Sequence, residues 1–174
     1  GSDLPGIVIT QHMPAGFTQM YAQRLDRRAG LDVHVKEAEH GDFIRPGYVY
    51  VAPGGDLQMK IARASGGYQI VLEKMGKVNG HCPSVDVLFH SVAEVAGSNS
   101  VGIILTGMGG DGAKGLLAMR NAGAGTIGQN EESCVVYGMP KVAYEIGAVE
   151  YQEDTKNIAK RTYSLVRQMY KREQ

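Results

Sequence analysis

Cysteine, net charge and long apolar runs are all scarce in this sequence, and each scarcity excludes something. Two cysteines, Cys82 and Cys134, stand in no metal-type spacing and read as reduced thiols of a cytosolic protein. Lys plus Arg is 18 and Asp plus Glu is 18, for a formal net charge of +0, which disfavours nucleic-acid binding by a strongly basic surface. No apolar run approaches the roughly 18 residues of a membrane span, so no membrane insertion is expected. Residues 1–15 lack a basic region followed by an apolar one, so no secretory leader is expected there and a cytoplasmic location is. No pair among the five histidines has the spacing of a zinc site, and no metal is expected. No internal repeat or low-complexity linker interrupts the chain, so residues 1–174 read as a single domain large enough for a real core.

Glycine, by contrast, is abundant. The 24 glycines are about twice the usual share, and they cluster at turns. Between them run alternating strands and helices. Ile7–Thr10 reads as a short strand, ended by Gln11-His12 and followed by a helix from about Pro14–Gly16 to Ala29, with Phe17, Met20, Tyr21 and Leu25 as its core face. Strands follow at Val33–Lys36 and in YVYVAPGG, then a hairpin near residues 55–73 with ASGG as its turn. Ser84 precedes a helix over Val85 to about Ala96, with Val85, Leu88, Val92 and Val95 as its apolar stripe. A strand over Val101–Leu105, a helix after it, a strand over Ala124–Gln129, a short helix over Lys141–Ile146, an edge strand over Ala148–Tyr151 and a last helix complete the chain. The fold class expected is α/β: a doubly wound, mostly parallel, Rossmann-like sheet with an inserted β-hairpin.

The stretch VGIILTGMGGDGA concentrates the chemistry. An apolar strand stops at Thr106, Gly107-Met108-Gly109-Gly110-Asp111-Gly112 turns, and a helix begins. Three readings compete. G-x-G-x-x-G between strand and helix, with Glu131 and Glu132 further on, fits a dinucleotide-binding module. That reading places the Asp111 carboxylate beside a pyrophosphate, a like-charge contact costing on the order of kcal/mol. Alternatively, Asp111 only caps its helix, worth about 1 kcal/mol, in a domain that binds without catalysing; this leaves the glycines unexplained. In the third reading Asp111 acts with His12. Each follows a strand at the carboxyl edge of a parallel sheet, where ligands gather. Pro14 stiffens the exit by restricting Met13. A histidine oriented by a carboxylate is the base half of a nucleophilic triad, and the glycine turn offers N–H groups to an oxyanion. Of the other histidines, His34, His40 and His90 read as surface or structural, while His81, just before Cys82-Pro83, is placed to line a groove.

Five stretches, QHMPAGFT, YVYVAPGG, PSVDVLFHS, GIILTGMGGDGA and QNEESCVVYGMP, in this order between about Ile7 and Val149, resemble the catalytic domain of the bacterial chemotaxis protein-glutamate methylesterase (CheB) family. The resemblance implies hydrolysis of glutamate methyl esters on methyl-accepting chemotaxis receptors, deamidation of certain receptor glutamines, no cofactor, and a receiver domain as regulatory partner in the intact protein. Carried over, His12 is the triad base, Asp111 the triad acid and Met108 the donor of an oxyanion-hole N–H. Gly107, Gly109 and Gly110 let that backbone reach the substrate, and Met13, Met139 and Pro140 line a shallow groove for it. The family's nucleophile is a serine in a G-[AS]-S-T-G-G turn, which these residues do not contain. Ser2 precedes a strand instead of following one, and Ser84 belongs to PSVD. The chain therefore reads as truncated at its N-terminus, lacking the family's first strand and first helix. It is expected to be inactive alone, since losing a triad nucleophile removes about 10⁶ in kcat. Its open strand edges invite aggregation, a rearranged sheet or a strand-exchanged dimer. Cys82 stands where the family often has arginine.

Overall fold

Residues 4–174 are described in the computed structural model; Ser2 lies outside them. The chain divides into two compact units, one running to Leu88 and the other starting at Phe89.

In the first unit, β1 (Ile7–Ile9), β2 (His34–Glu37) and β3 (Tyr48–Val51) form a parallel sheet in the order β1-β3-β2. β-Branched and aromatic residues dominate β1 and β3, as suits a packed pleated surface. α1 (Phe17–Asp26) packs on β2 and β3. Its buried face is not the large apolar stripe. Thr18 and Ala22 are buried, Tyr21 and Leu25 are half-buried, and Phe17 and Met20 are more than half exposed. Small side chains one turn apart let the helix approach the sheet, and Thr18 is further held by hydrogen bonds: its hydroxyl donates to Glu37 Oε2 (2.7 Å) and accepts from the Gly54 N–H (2.9 Å). β4 (Gln58–Ala64) and β5 (Gly67–Glu73) form the expected antiparallel hairpin, with Ala64 opposite Gly67, so Ser65-Gly66 alone make the turn. α2 (Val85–Val95) begins in this unit.

The second unit repeats the parallel theme. β6 (Val101–Ile104), β7 (Gly125–Gln129) and β8 (Tyr151–Glu153) lie in the order β6-β7-β8. α3 (Ala113–Asn121), α4 (Met139–Glu145) and α5 (Thr155–Arg172) pack on these strands. Ile127, Ile158 and Leu165 form a core cluster joined by Val101, Ile103 and Tyr151. The apolar run before the glycine turn alternates between half-buried and buried residues, and Leu105 is 49% exposed. Leu105 lies just past the end of β6, and the strand is not covered on both faces. The edge strand starts later than its sequence indicates, because Ala148 and Val149 are buried instead of paired. Nor are the glycines confined to turns. A Cβ at Gly102 would lie 2.6 Å from Leu116 Cδ1, and one at Gly125 2.9 Å from Leu165 Cδ1. Strand glycines are what let α3 and α5 approach so closely. α5 starts at Asp154, whose carboxylate accepts the Lys156 N–H (3.1 Å), and ends with Lys171 and Arg172, favourable at the negative end of the helix dipole.

Candidate active site

His12 lies three residues beyond β1, half-buried. Its exit is tightly fixed. A side chain on Gly54 would run into the Met13 and Pro14 backbone, so this glycine admits the chain carrying His12 against the end of the β3 loop. The ring of His12 stacks on that of His81, with centroids 3.7 Å apart and planes 3° from parallel.

His81 is held equally firmly. Asn79 (φ 54°) and Gly80 (φ 77°) form the centre of a tight turn, and both N–H···O bonds between Val78 and His81 measure 2.9 Å. Asn-Gly suits two consecutive left-handed residues. Beneath the turn lies Gln58, fully buried. Its amide donates to the carbonyls of Gly76 (2.9 Å) and His81 (3.0 Å) and accepts the Ser84 N–H (2.7 Å). Nothing in its neighbours marked Gln58 in the sequence; it opens a strand, QMKIARA, that already carries Lys60 and Arg63. Cys82 is half-buried, and burial, with the Asp56 charge adding to it, pushes its thiol up from the ordinary value.

The glycine turn of the second unit has its own amide. Gln129, 4% exposed at the end of β7, accepts the Thr106 N–H (2.7 Å) and donates to Ser133 O and Thr155 Oγ1 (both 2.8 Å). Thr106 Oγ1 then exchanges hydrogen bonds with the backbone of Val136. Gly107 donates to Val136 O (3.1 Å) and accepts from Gly138 (3.1 Å) and Met139 (2.7 Å). These bonds fasten the turn to the 130–138 loop and the start of α4.

Within the turn the residues differ in kind. Gly109 (φ 88°) and Gly112 (φ 94°) occupy the left-handed region, which favours glycine. Gly107 is glycine for space: a Cβ there would strike Met139 Sδ. Gly110 has neither requirement. The Met108 side chain is 80% exposed, whereas Asp111 is 2% exposed. The N-cap of α3 is Gly112, with no side-chain cap, so Asp111 does not occupy the capping position. Met139 and Pro140, expected to line a groove, are instead buried at the start of α4. Methionine 139 supports the glycine turn from behind because Gly107 leaves it room. Met13 is half-buried beside His12. His34 tilts against Tyr48, with 5.1 Å between ring centroids; His40 Nδ1 accepts the Leu72 N–H (3.0 Å); and His90 is exposed on α2. Among the described residues, no group of three His, Cys, Asp or Glu side chains is arranged to hold a metal ion, and no helix is long and apolar enough to cross a membrane.

Residues 1–162 match the family described as CheB methylesterase. The chain belongs to that family. A protein-glutamate methylesterase/protein-glutamine glutaminase 2 of Syntrophomonas wolfei is 59% identical over 167 residues, covering 96% of this chain and 48% of the relative. A protein of the same type from Sulfurimonas denitrificans is 56% identical over 164 residues, covering 94% and 46%. The crystal structure of the Thermotoga maritima CheB methylesterase catalytic domain superposes with a TM-score of 0.86 at 38% identity, covering 95% of this chain and 85% of that one. The α/β architecture is thus that of a CheB catalytic domain. The chain spans about half the length of the curated relatives it matches (48% and 46%).

Proposed function

We propose that residues 1–174 belong to a single catalytic domain of a protein-glutamate methylesterase that also deamidates glutamine, and that His12 and Asp111 are two members of its Ser-His-Asp triad. Asp111 carries the reading. A carboxylate 2% exposed, on a turn whose helix is capped by the next residue, is expensive to bury unless its charge is used. Membership of the methylesterase family, the restrained His12 ring and the tethered glycine turn support it.

The chemistry follows triad logic. A serine supplied in the full-length enzyme attacks the ester carbonyl as His12 takes the hydroxyl proton. The oxyanion is met by the Met108 N–H, on a turn pinned by Gly107 and Thr106. His12 then returns the proton to the departing methoxide, releasing methanol. Water, deprotonated by His12, hydrolyses the acyl-enzyme to free glutamate. Ammonia replaces methanol when the substrate is glutamine. Asp111 fixes the tautomer of His12 and stabilises its imidazolium. The substrates are methyl-accepting chemotaxis receptors met in the cytoplasm, a receiver domain regulates access, and no metal or organic cofactor takes part.

The test is methanol release from methylated receptor. The full-length enzyme should release it. The purified 174-residue polypeptide, without the G-[AS]-S-T-G-G serine, should not, and should self-associate through its open strand edges in sedimentation. Turnover by the 174-residue polypeptide would refute the serine mechanism, and an inert full-length protein would refute the esterase reading.

A further inference from the structure

His81 is outside the proposed triad, yet it touches the proposed base more intimately than a chance loop neighbour would. The two imidazoles lie face to face at 3.7 Å and 3°. The His81 backbone is fixed from two sides, by the Asn79-Gly80 turn and by the fully buried Gln58 amide. An unsatisfied buried amide is costly, so Gln58 also binds the loop to its place: without Gly76 O, His81 O and the Ser84 N–H, its donors and acceptor would be stranded.

We infer that His81 is a positioning residue, a flat wall that sets the ring plane of His12 for proton transfer. This rests on the methylesterase reading. Hydrogen bonds to an imidazole nitrogen lie in the ring plane. A neighbour on the ring face therefore fixes the plane without occupying either nitrogen, leaving one edge for the orienting carboxylate and the other for the nucleophile. A general base must hold its nitrogen within hydrogen-bond reach of the proton it takes. Rotation of the ring about its Cβ–Cγ bond would swing that nitrogen out of line, and the His81 face blocks this rotation. What the wall must supply is flatness and not acid–base chemistry, so another aromatic ring should serve.

The experiment has a kinetic arm and a spectroscopic arm. In the full-length, serine-bearing enzyme, His81→Ala is expected to lower kcat for methyl-ester hydrolysis about 10- to 100-fold, the scale of a misplaced catalytic group, with KM unchanged. His81→Phe, which restores a flat face, should recover most of kcat. His81→Leu, which restores bulk without flatness, should not, and it stands in for His81→Ala should that variant be too unstable to assay. In the same full-length enzyme, the His12 ring protons should resonate upfield in the NMR spectrum through the ring current of residue 81. That shift should persist in His81→Phe and vanish in His81→Leu. An active wild type whose kcat is unmoved by His81→Leu, or a folded His81→Phe variant as impaired as His81→Leu, would overturn the inference and leave the esterase reading standing. A wild type that releases no methanol would overturn the esterase reading instead.

Discussion

Replacing Gly107 by alanine tests whether the glycine turn is built by sterics at particular positions or by glycine content in general. The added methyl would collide with Met139 Sδ and lie 3.3 Å from Met139 Cγ. Met139 is 8% exposed, so it has little space into which to retreat, and overpacking of this kind costs about 1–3 kcal/mol. The turn cannot yield easily either. Gly107 makes three backbone hydrogen bonds, to Val136, Gly138 and Met139, each worth about 0.5–1.5 kcal/mol. For a chain of this size 1 kcal/mol shifts Tm by about 2–4 °C. Gly107→Ala should therefore melt about 2–12 °C below the wild type. Gly110→Ala is the control. Its Cβ would sit 3.4 Å from Val142 Cγ1, and its φ is not in the left-handed region. Where the backbone is compatible, Gly→Ala gains about 0.4–1 kcal/mol by restricting the unfolded chain, so this variant should melt at or slightly above the wild type. The two variants add the same methyl to the same turn, and differential scanning calorimetry separates them. In the full-length enzyme Gly107→Ala should also lose about 10²–10³ in kcat, the scale of one displaced oxyanion donor. An unchanged Tm for Gly107→Ala, or a larger drop for Gly110→Ala, would refute the steric account.

Three further outcomes follow from the same structure. Asp111→Asn in the full-length enzyme should lower kcat about 10⁴-fold, as expected for a triad acid; a loss below tenfold in the methanol-release assay would return Asp111 to a structural role. Thr10 Oγ1, just before His12, is buried without a hydrogen-bond partner, so Thr10→Val should raise stability by about 1 kcal/mol, read as a higher urea midpoint, and a lower midpoint would refute this. Burial raises the thiols of both Cys82 and Cys134 above the ordinary value of 9.0. The folded chain then holds these protons longer than the unfolded one, so the stability they contribute is complete below pH about 9 and declines as pH rises through the folded values. Alkylation by iodoacetamide should accelerate only above that pH, and fast modification at pH 7 would contradict it.

The parallel α/β character and the hairpin were legible in the sequence because each rests on local pattern, and the glycine turn that carries Asp111 stood out in the same way. Apolar β-branched runs, turn residues at fixed offsets and a carboxylate inside a glycine turn all act over a few residues. The buried face of α1 was not legible. Phe17 and Met20 have the right spacing, but close approach to the sheet selects Thr18 and Ala22, and approach distance is a property of two elements. The same holds for the strand glycines at 102 and 125, which exist because Leu116 and Leu165 arrive from other elements. Met139 and Pro140 have the character of groove residues, and only packing shows that they sit under the turn. Gln58 and Gln129, two unremarkable amides in the sequence, hold the loops of His81 and Thr106 through partners up to 26 residues away. The sequence by itself determined which groups are available: the Asp111 carboxylate, the His12 imidazole and a backbone able to turn between strand and helix. Tertiary structure decided how firmly each is held, because burial, stacking and long-range hydrogen bonds are made only when distant segments meet.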